Sequence, residues 1–305
     1  MSEDIYGFML TYNQMDWLPY ACNQIDKMLE YGSVKKFFIA EGSHSKSFPW
    51  RSPDGSWDYL HERYGNVKEV EIVDGAMFKG KKGYVQAQWR LLGYMLDLIP
   101  RPSWALVLHD DQFMFDSFLK SIPDFRDQCK DDFDLVLPRT MEFAFNTKLH
   151  WHKTQAGFLN RVYDDTEWFP ISLLGRKKTG RYLKNTKRCL VVGDVTQPDT
   201  CLFHMGVAMK RKERAWMRVN LAAEKGSVST RDYWYTYMFM GADLNNLNDT
   251  YEKGRKYFGE PGFYKDSLDN KSPAIVQKLS VYNGLLPESI RNHPYANIED
   301  IRIIK

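Results

Sequence analysis

The stretch WALVLHDDQFMF, residues 104–115, is an apolar run broken by His109, Asp110, Asp111 and Gln112. Two carboxylates at the end of a buried strand are a common seat for a hard divalent cation. Mg²⁺ or Mn²⁺ takes oxygen ligands and keeps positions open for substrate phosphates. Such an ion neutralises charge that develops on a departing diphosphate. The plainer alternative is that Asp110 and Asp111 form a turn and cap the following helix. A second apolar run, CLFHMG at 201–206, also carries a histidine, His204, near its end. In LHWHK, His150 and His152 alternate as strand residues do. With no third ligand nearby in sequence, they read as structural rather than metal-binding.

Elements must exist to bring such groups together. Apolar, strand-like runs occur at 5–11, 34–40, 67–73, 104–108 and 133–137. Helical patterns lie between them at 17–31, 56–64 and 84–98, the last stopped by Pro100 and Pro102. Strands alternating with helices predict an α/β fold with a mainly parallel sheet flanked by helices. In such sheets ligands bind beyond the carboxyl ends of the strands. Thr11-Tyr12-Asn13, Glu41-Gly42-Ser43 and His109-Asp110-Asp111 each follow a predicted strand, so the three clusters are expected on one edge.

The chain of 305 residues is 43% hydrophobic and 27% charged, the balance of a globular protein with a sizeable core. A net charge of +3 is too small to signal a nucleic-acid binder by itself. Four widely spaced cysteines without a CxxC pair argue against a disulfide framework or structural zinc site. The N-terminus carries acids where a signal peptide has bases, and no apolar run is long enough to span a membrane. The expectation is a cytoplasmic protein.

Residues 139–205 read as irregular, 206–243 as helical, and 244–305 as a loop-rich extension. The division expected is thus a catalytic domain at 1–243 with a C-terminal extension at 244–305 packed on it. Two runs stand out for charge. RKKTGRYLKNTKR at 176–188 has no acid, and KRKER follows at 210–214. Either they are solvated loops or they clamp a polyanion, with Tyr182, Trp151, Trp168 and Phe169 as stacking surfaces.

Taken in order, MLTYNQMDWLPYACNQI, FFIAEGSHS, YVQAQWRLLGYML and WALVLHDDQFMF resemble the nucleotide-sugar half of family 2-like glycosyltransferases of the GT-A fold, a Rossmann-like architecture. The resemblance covers roughly residues 5–120 and implies transfer of a sugar from a nucleotide-diphosphate donor, a UDP- or GDP-sugar, with Mn²⁺ or Mg²⁺ as cofactor. By that resemblance Thr11 and Tyr12 flank the nucleotide, Glu41 contacts base or ribose, and Gln88 and Arg90 line the donor site. The family's Asp-x-Asp-Glu-Phe motif aligns with 109–113, which places His109 at the first acid and Asp111 at the second. Either Asp110 supplies the first carboxylate after a shift of one residue, or His109 replaces it. His204 matches, by order, a downstream metal or diphosphate ligand.

Inverting transfer, which the resemblance implies, needs a carboxylate to take the acceptor's proton. Asp232 in STRDYW is the first candidate and Asp194 the second; Asp199 is nearby. The acceptor class stays open between a saccharide and a polyanion such as DNA with modified bases. A metal-dependent nuclease or nucleotidyl transferase, or a nucleotide-sugar-binding module without turnover, are the alternative functions.

Overall fold

The structure, a computed structural model, describes residues 3–43, 45, 48–78, 84–129, 132–144, 147, 149–154, 158–163, 166–169, 173–176, 189–208 and 280–296. By internal contacts the chain divides into two compact units. One comprises Met1–Met141, His152–Phe203 and Leu286–Arg291; the other Glu142–Trp151, His204–Leu285 and Asn292–Lys305.

The first unit opens with β1 (Ile5–Thr11), α1 (Leu18–Glu30), β2 (Lys36–Glu41), α2 (Ser56–Tyr64), β3 (Val70–Asp74), α3 (Tyr84–Leu96) and β4 (Ser103–His109). These match the expected strands and helices to within a few residues at each end. The strands pair in the order β4-β1-β2-β3, all parallel, with a helix in every crossover. The sheet is therefore mixed α/β and Rossmann-like, as the alternating pattern predicts.

Its core follows from the sequence. β1 and β2 are buried almost throughout, so each reads as a continuous apolar run rather than an alternating one. Phe8 stacks on Phe38 at 5.4 Å, and Leu91, Leu92, Met95 and Leu96 of α3 join the same cluster. Each such side chain contributes about 1.5–3 kcal/mol by leaving water. Gly7 is glycine because a Cβ there would lie 2.1 Å from the Phe37 ring. α1 carries a proline in its first turn, where a missing N–H costs nothing. It ends at Gly32, whose φ of 67° only glycine adopts freely, and the Ser33 N–H turns back to the Met28 carbonyl at 2.8 Å.

Beyond β4 come β5 (Gln112–Phe113), α4 (Asp116–Cys129), β6 (Leu135–Ala144), β7 (Leu149–Thr154), β8 (Leu159–Val162), β9 (Thr166–Phe169), β10 (Leu173–Arg176), β11 (Cys189–Val192) and β12 (Leu202–Val207). β8 runs antiparallel beside β4 and beside β6, and β11 joins β6 in parallel. β9 and β10 form a hairpin. Besides β6, expected from 133–137, and the strand-like runs that form β7 and β12, the stretch expected to be irregular carries four further described strands, β8 to β11. Each is four residues long, too short for a local pattern to betray it. In the second unit β7 pairs antiparallel with β13 (Ser280–Val281).

β6 and β12 are continuous strands that cross the division between units, at Met141–Glu142 and Phe203–His204. Of the run expected to be helical at 206–243, residues 206 and 207 end β12 instead, and 209–243 lie outside the described residues, as do both basic runs apart from Arg176 and the tail at 244–279. No helix among the described residues is long and apolar enough to cross a membrane. All four cysteines are free thiols; burial pushes Cys22 and Cys129 up to about 12, which leaves neither a ready nucleophile.

Candidate metal centre at the sheet's carboxyl edge

In the order β3-β2-β1-β4 the crossovers reverse direction between β1 and β4, and a crevice opens beyond such a switch point. Register sets what stands there. Leu10 pairs with His109, Thr11 with Glu41, and Glu41 with Asp74. The three polar clusters do share one edge of the sheet. A side-chain bond crosses the switch point itself, since Gln14 Nε2 donates to Asp110 Oδ1 at 3.0 Å.

The turn after β4 is held from two sides. The His109 N–H donates to Gln112 Oε1 at 2.9 Å, closing the turn on itself. Gln24, on the buried face of α1, then grips β5 as a neighbouring strand would. Its Nε2 donates to the Gln112 carbonyl at 3.1 Å, and its Oε1 accepts the Met114 N–H at 2.7 Å. Trp17 packs against Phe113 and Phe115 against Phe203, so the segment after the acids is anchored in aromatic core.

Within this frame His109 and Asp111, at the end of β4, each offer one ligand atom, and these atoms lie within 4.8 Å of each other. Asp111 and His204 are 2% and 3% exposed, whereas His109 is exposed. His204 follows Phe203 directly on β12, a strand paired with β5 and β6. Its Nδ1 lies 2.9 Å from Glu142 Oε2. An imidazole and a carboxylate are both ligand types that a divalent transition metal accepts. Of the two alternatives left open by the motif, His109 stands with Asp111, while Asp110 accepts from Gln14.

At the other end of the edge, Glu41 is fully buried. Its Oε1 accepts the Ser52 N–H at 3.1 Å and the Ser52 hydroxyl, while Arg51 Nη1 stands 3.7 Å from Oε2. The loop bearing Ser52 is clasped by the turn after β1. The Asn13 N–H donates to Ser52 Oγ at 2.7 Å, the Met15 N–H to Asp54 Oδ2 at 2.9 Å, and the Tyr12 hydroxyl to the Pro49 carbonyl at 3.0 Å. Arg51 lies over the Trp57 ring, 3.3 Å from its centroid. Thr11 Oγ1 is buried and makes no hydrogen bond among the described residues.

Burial raises the Glu41 carboxyl above its usual range, against the lowering pull of Ser52 and Arg51. A carboxyl raised on folding holds its proton more tightly in the folded state. Its charged form therefore subtracts stability once pH passes the unfolded value of about 4.3, and subtracts most above the folded value. Glu41→Gln keeps an acceptor for Ser52 and removes the charge. Its melting temperature relative to wild type is expected to climb from pH 4 to pH 8 in scanning calorimetry; a difference that shrinks over that range would contradict this account.

The other sequence candidates are placed as follows. Arg90 is exposed on α3, and Gln88 lies in the same helix. Asp194 is exposed at the surface, where its Oδ1 accepts the Thr196 N–H at 2.9 Å. That bond holds it below the ordinary carboxylate range and makes it a weaker base. Asp199 is exposed in a single 3₁₀ turn, and Asp232 lies outside the described residues. His150 is buried between Phe143 and Tyr282, 5.6 and 5.8 Å away, as a core histidine. Sequence reasoning missed Gln14, Gln24, Ser52 and Glu142. The available signal was a polar residue in an apolar setting, Gln24 on the buried face of α1 and Glu142 between buried Met141 and Phe143.

No family model matches the chain, and no curated protein does. Among solved structures it is similar to S. aureus TarS, with a TM-score of 0.37 and 10% identity. The alignment covers 83% of this chain and 48% of that one, so the chain spans about half the length of TarS.

Proposed function

We propose that the protein is a metal-dependent glycosyltransferase that moves a sugar from a nucleotide-diphosphate donor to an acceptor hydroxyl with inversion. The observation that carries this reading is the placement of His109 and Asp111 together beside a β1/β4 switch point. Such an edge receives nucleotides in open α/β sheets. Bound there, a divalent metal would offset the charge that develops on a departing diphosphate. Mn²⁺ accepts an imidazole beside a carboxylate more readily than Mg²⁺, which asks for a nearly all-oxygen octahedron.

The chain's own groups divide the remaining work. Glu41, Ser52 and Arg51 offer hydrogen bonds to base and ribose at the β2 end, and Thr11 offers a hydroxyl between the two ends. Tyr12 flanks the nucleotide, with Gln88 and Arg90 on α3 completing the donor side. Gln14 keeps Asp110 turned to the β1 side, where it contacts the donor rather than the metal. Asp232 is the proposed base that takes the acceptor's proton, ahead of Asp194, which its turn holds as a weak one. The acid-free run at 176–188 and the bases at 210–214 suit a polyanionic acceptor, DNA with modified bases included, as well as a saccharide.

Thermal shift with nucleoside diphosphates tests the donor class. A ligand that binds only the folded chain, at a hundred times its Kd, adds about 2.7 kcal/mol. That corresponds to roughly 5 °C in a chain of this size. UDP or GDP is expected to give such a rise with Mn²⁺ and a much smaller one with EDTA. If no nucleoside diphosphate moves the transition when Mn²⁺ is present, the donor reading is wrong.

A further inference from the structure

Three successive backbone N–H groups just beyond β1 are received by side chains of one loop. The Asn13 N–H donates to Ser52 Oγ at 2.7 Å, the Gln14 N–H to Ser56 Oγ at 3.4 Å and the Met15 N–H to Asp54 Oδ2 at 2.9 Å. Asn13 needs such a hold, because its φ of 53° lies in the left-handed region that is unfavourable for a residue with a Cβ. The turn so shaped delivers Gln14, 2% exposed, to Asp110, whose Oδ1 accepts from Nε2 at 3.0 Å.

Ser52 also reaches the end of β2. A backbone N–H can only donate, so Ser52 Oγ accepts from Asn13 and its own hydrogen goes to Glu41 Oε1. The Ser52 N–H donates to the same oxygen at 3.1 Å. Glu41 is fully buried and Ser52 nearly so, which leaves water poorly placed to replace the hydroxyl. Thr11 and Glu41 form the last register pair of β1 and β2, so this hydroxyl ties the two strand ends together beyond their ladder.

We propose that Ser52 is a positioning residue of the donor site: by joining Glu41 to Asn13 it holds the left-handed turn that aims Gln14 at Asp110. This role rests on the donor reading above, in which Asp110 contacts the nucleotide sugar. The β2 and β4 ends of the edge then form one connected series, Glu41, Ser52, Asn13, Gln14 and Asp110, all within the first unit.

The test uses the full chain. Side-chain amide NMR follows Gln14, its signal assigned through Gln14→Leu, and calorimetry titrates UDP and GDP in the presence of Mn²⁺. In ligand-free wild type the Gln14 amide is expected to exchange its hydrogens at least about tenfold more slowly than an exposed glutamine. Ser52→Ala is expected to lose that protection and to raise the nucleotide Kd about tenfold, the effect of orphaning a buried donor. Ser52→Thr keeps the hydroxyl and is expected to hold the protection, with a Kd within about threefold of wild type. In a Gln14→Leu background, Ser52→Ala should add less than about twofold, because its effect runs through Gln14.

A Gln14 amide that exchanges freely in wild type overturns the proposal without any variant, so poor folding of Ser52→Ala would not shelter it. A Ser52→Ala effect that persists in full in the Gln14→Leu background also overturns it, because Ser52 would then act by another route. So does Ser52→Thr behaving as Ser52→Ala does. The donor reading has its own control. If neither UDP nor GDP binds wild type, that reading fails and this role fails with it. If wild type binds one of them and Ser52→Ala binds it equally well, only the role of Ser52 fails.

Discussion

Asp111→Asn is expected to lower sugar transfer by about a thousandfold and to abolish stabilisation by Mn²⁺, while the metal-free protein melts within about 2 °C of wild type. The substitution keeps the shape of the side chain and removes the carboxylate that stands with His109 at the end of β4. A metal that neutralises a leaving group supplies several kcal/mol, and each 1.36 kcal/mol is tenfold in rate. About 4 kcal/mol therefore gives the thousandfold. The fold should tolerate the change, because a carboxylate 2% exposed costs desolvation that an amide does not. Nucleotide release from UDP- and GDP-sugars, with and without Mn²⁺, measures the rate. Full metal-dependent activity in the variant would remove Asp111 from the site.

The second large effect concerns a residue that touches no substrate in this scheme. Gln24→Leu deprives the Gln112 carbonyl and the Met114 N–H of their bonds to α1. Both residues are fully buried, so water cannot readily replace the lost amide. Each orphaned group costs roughly 1–3 kcal/mol, about 2–6 kcal/mol together, or some 4–12 °C in melting temperature at about 2 °C per kcal/mol. Because β5 follows Asp111 directly, the same variant is expected to weaken Mn²⁺ binding several-fold. Gln24→Glu separates the two bonds: it can still accept from Met114 but cannot donate to Gln112, and it adds a buried charge. Calorimetry of the two variants decides the matter. If both Gln24→Leu and Gln24→Glu melt with wild type, the clamp contributes nothing.

Much of this is legible before any coordinates, for physical reasons. Parallel strands buried on both faces are apolar without interruption, so 5–11, 34–40 and 104–108 declare themselves, and so do the polar residues that end them. That the three ends share an edge follows from parallel alternation alone. Illegible was whatever depends on long-range pairing. Asp110 is engaged by a Gln14 amide 96 residues away. His204 gains its partner from a strand 62 residues earlier, and Gln24 meets β5 across 88 and 90 residues. α4 escapes notice because Pro123 sits inside it. In each case a side chain's role is set by a neighbour that no local periodicity encodes.

The strand order has one more consequence, metric rather than chemical. Adjacent strands stand about 4.8 Å apart, so the three steps from β4 through β1 and β2 to β3 set the ends at His109 and Asp74 roughly 14 Å apart. Backbone hydrogen bonds fix that span, and no side-chain replacement rescales it. The edge acts as a ruler. Swapping residues at one station changes what is recognised there, but a ligand of different length would require a strand to be added or removed.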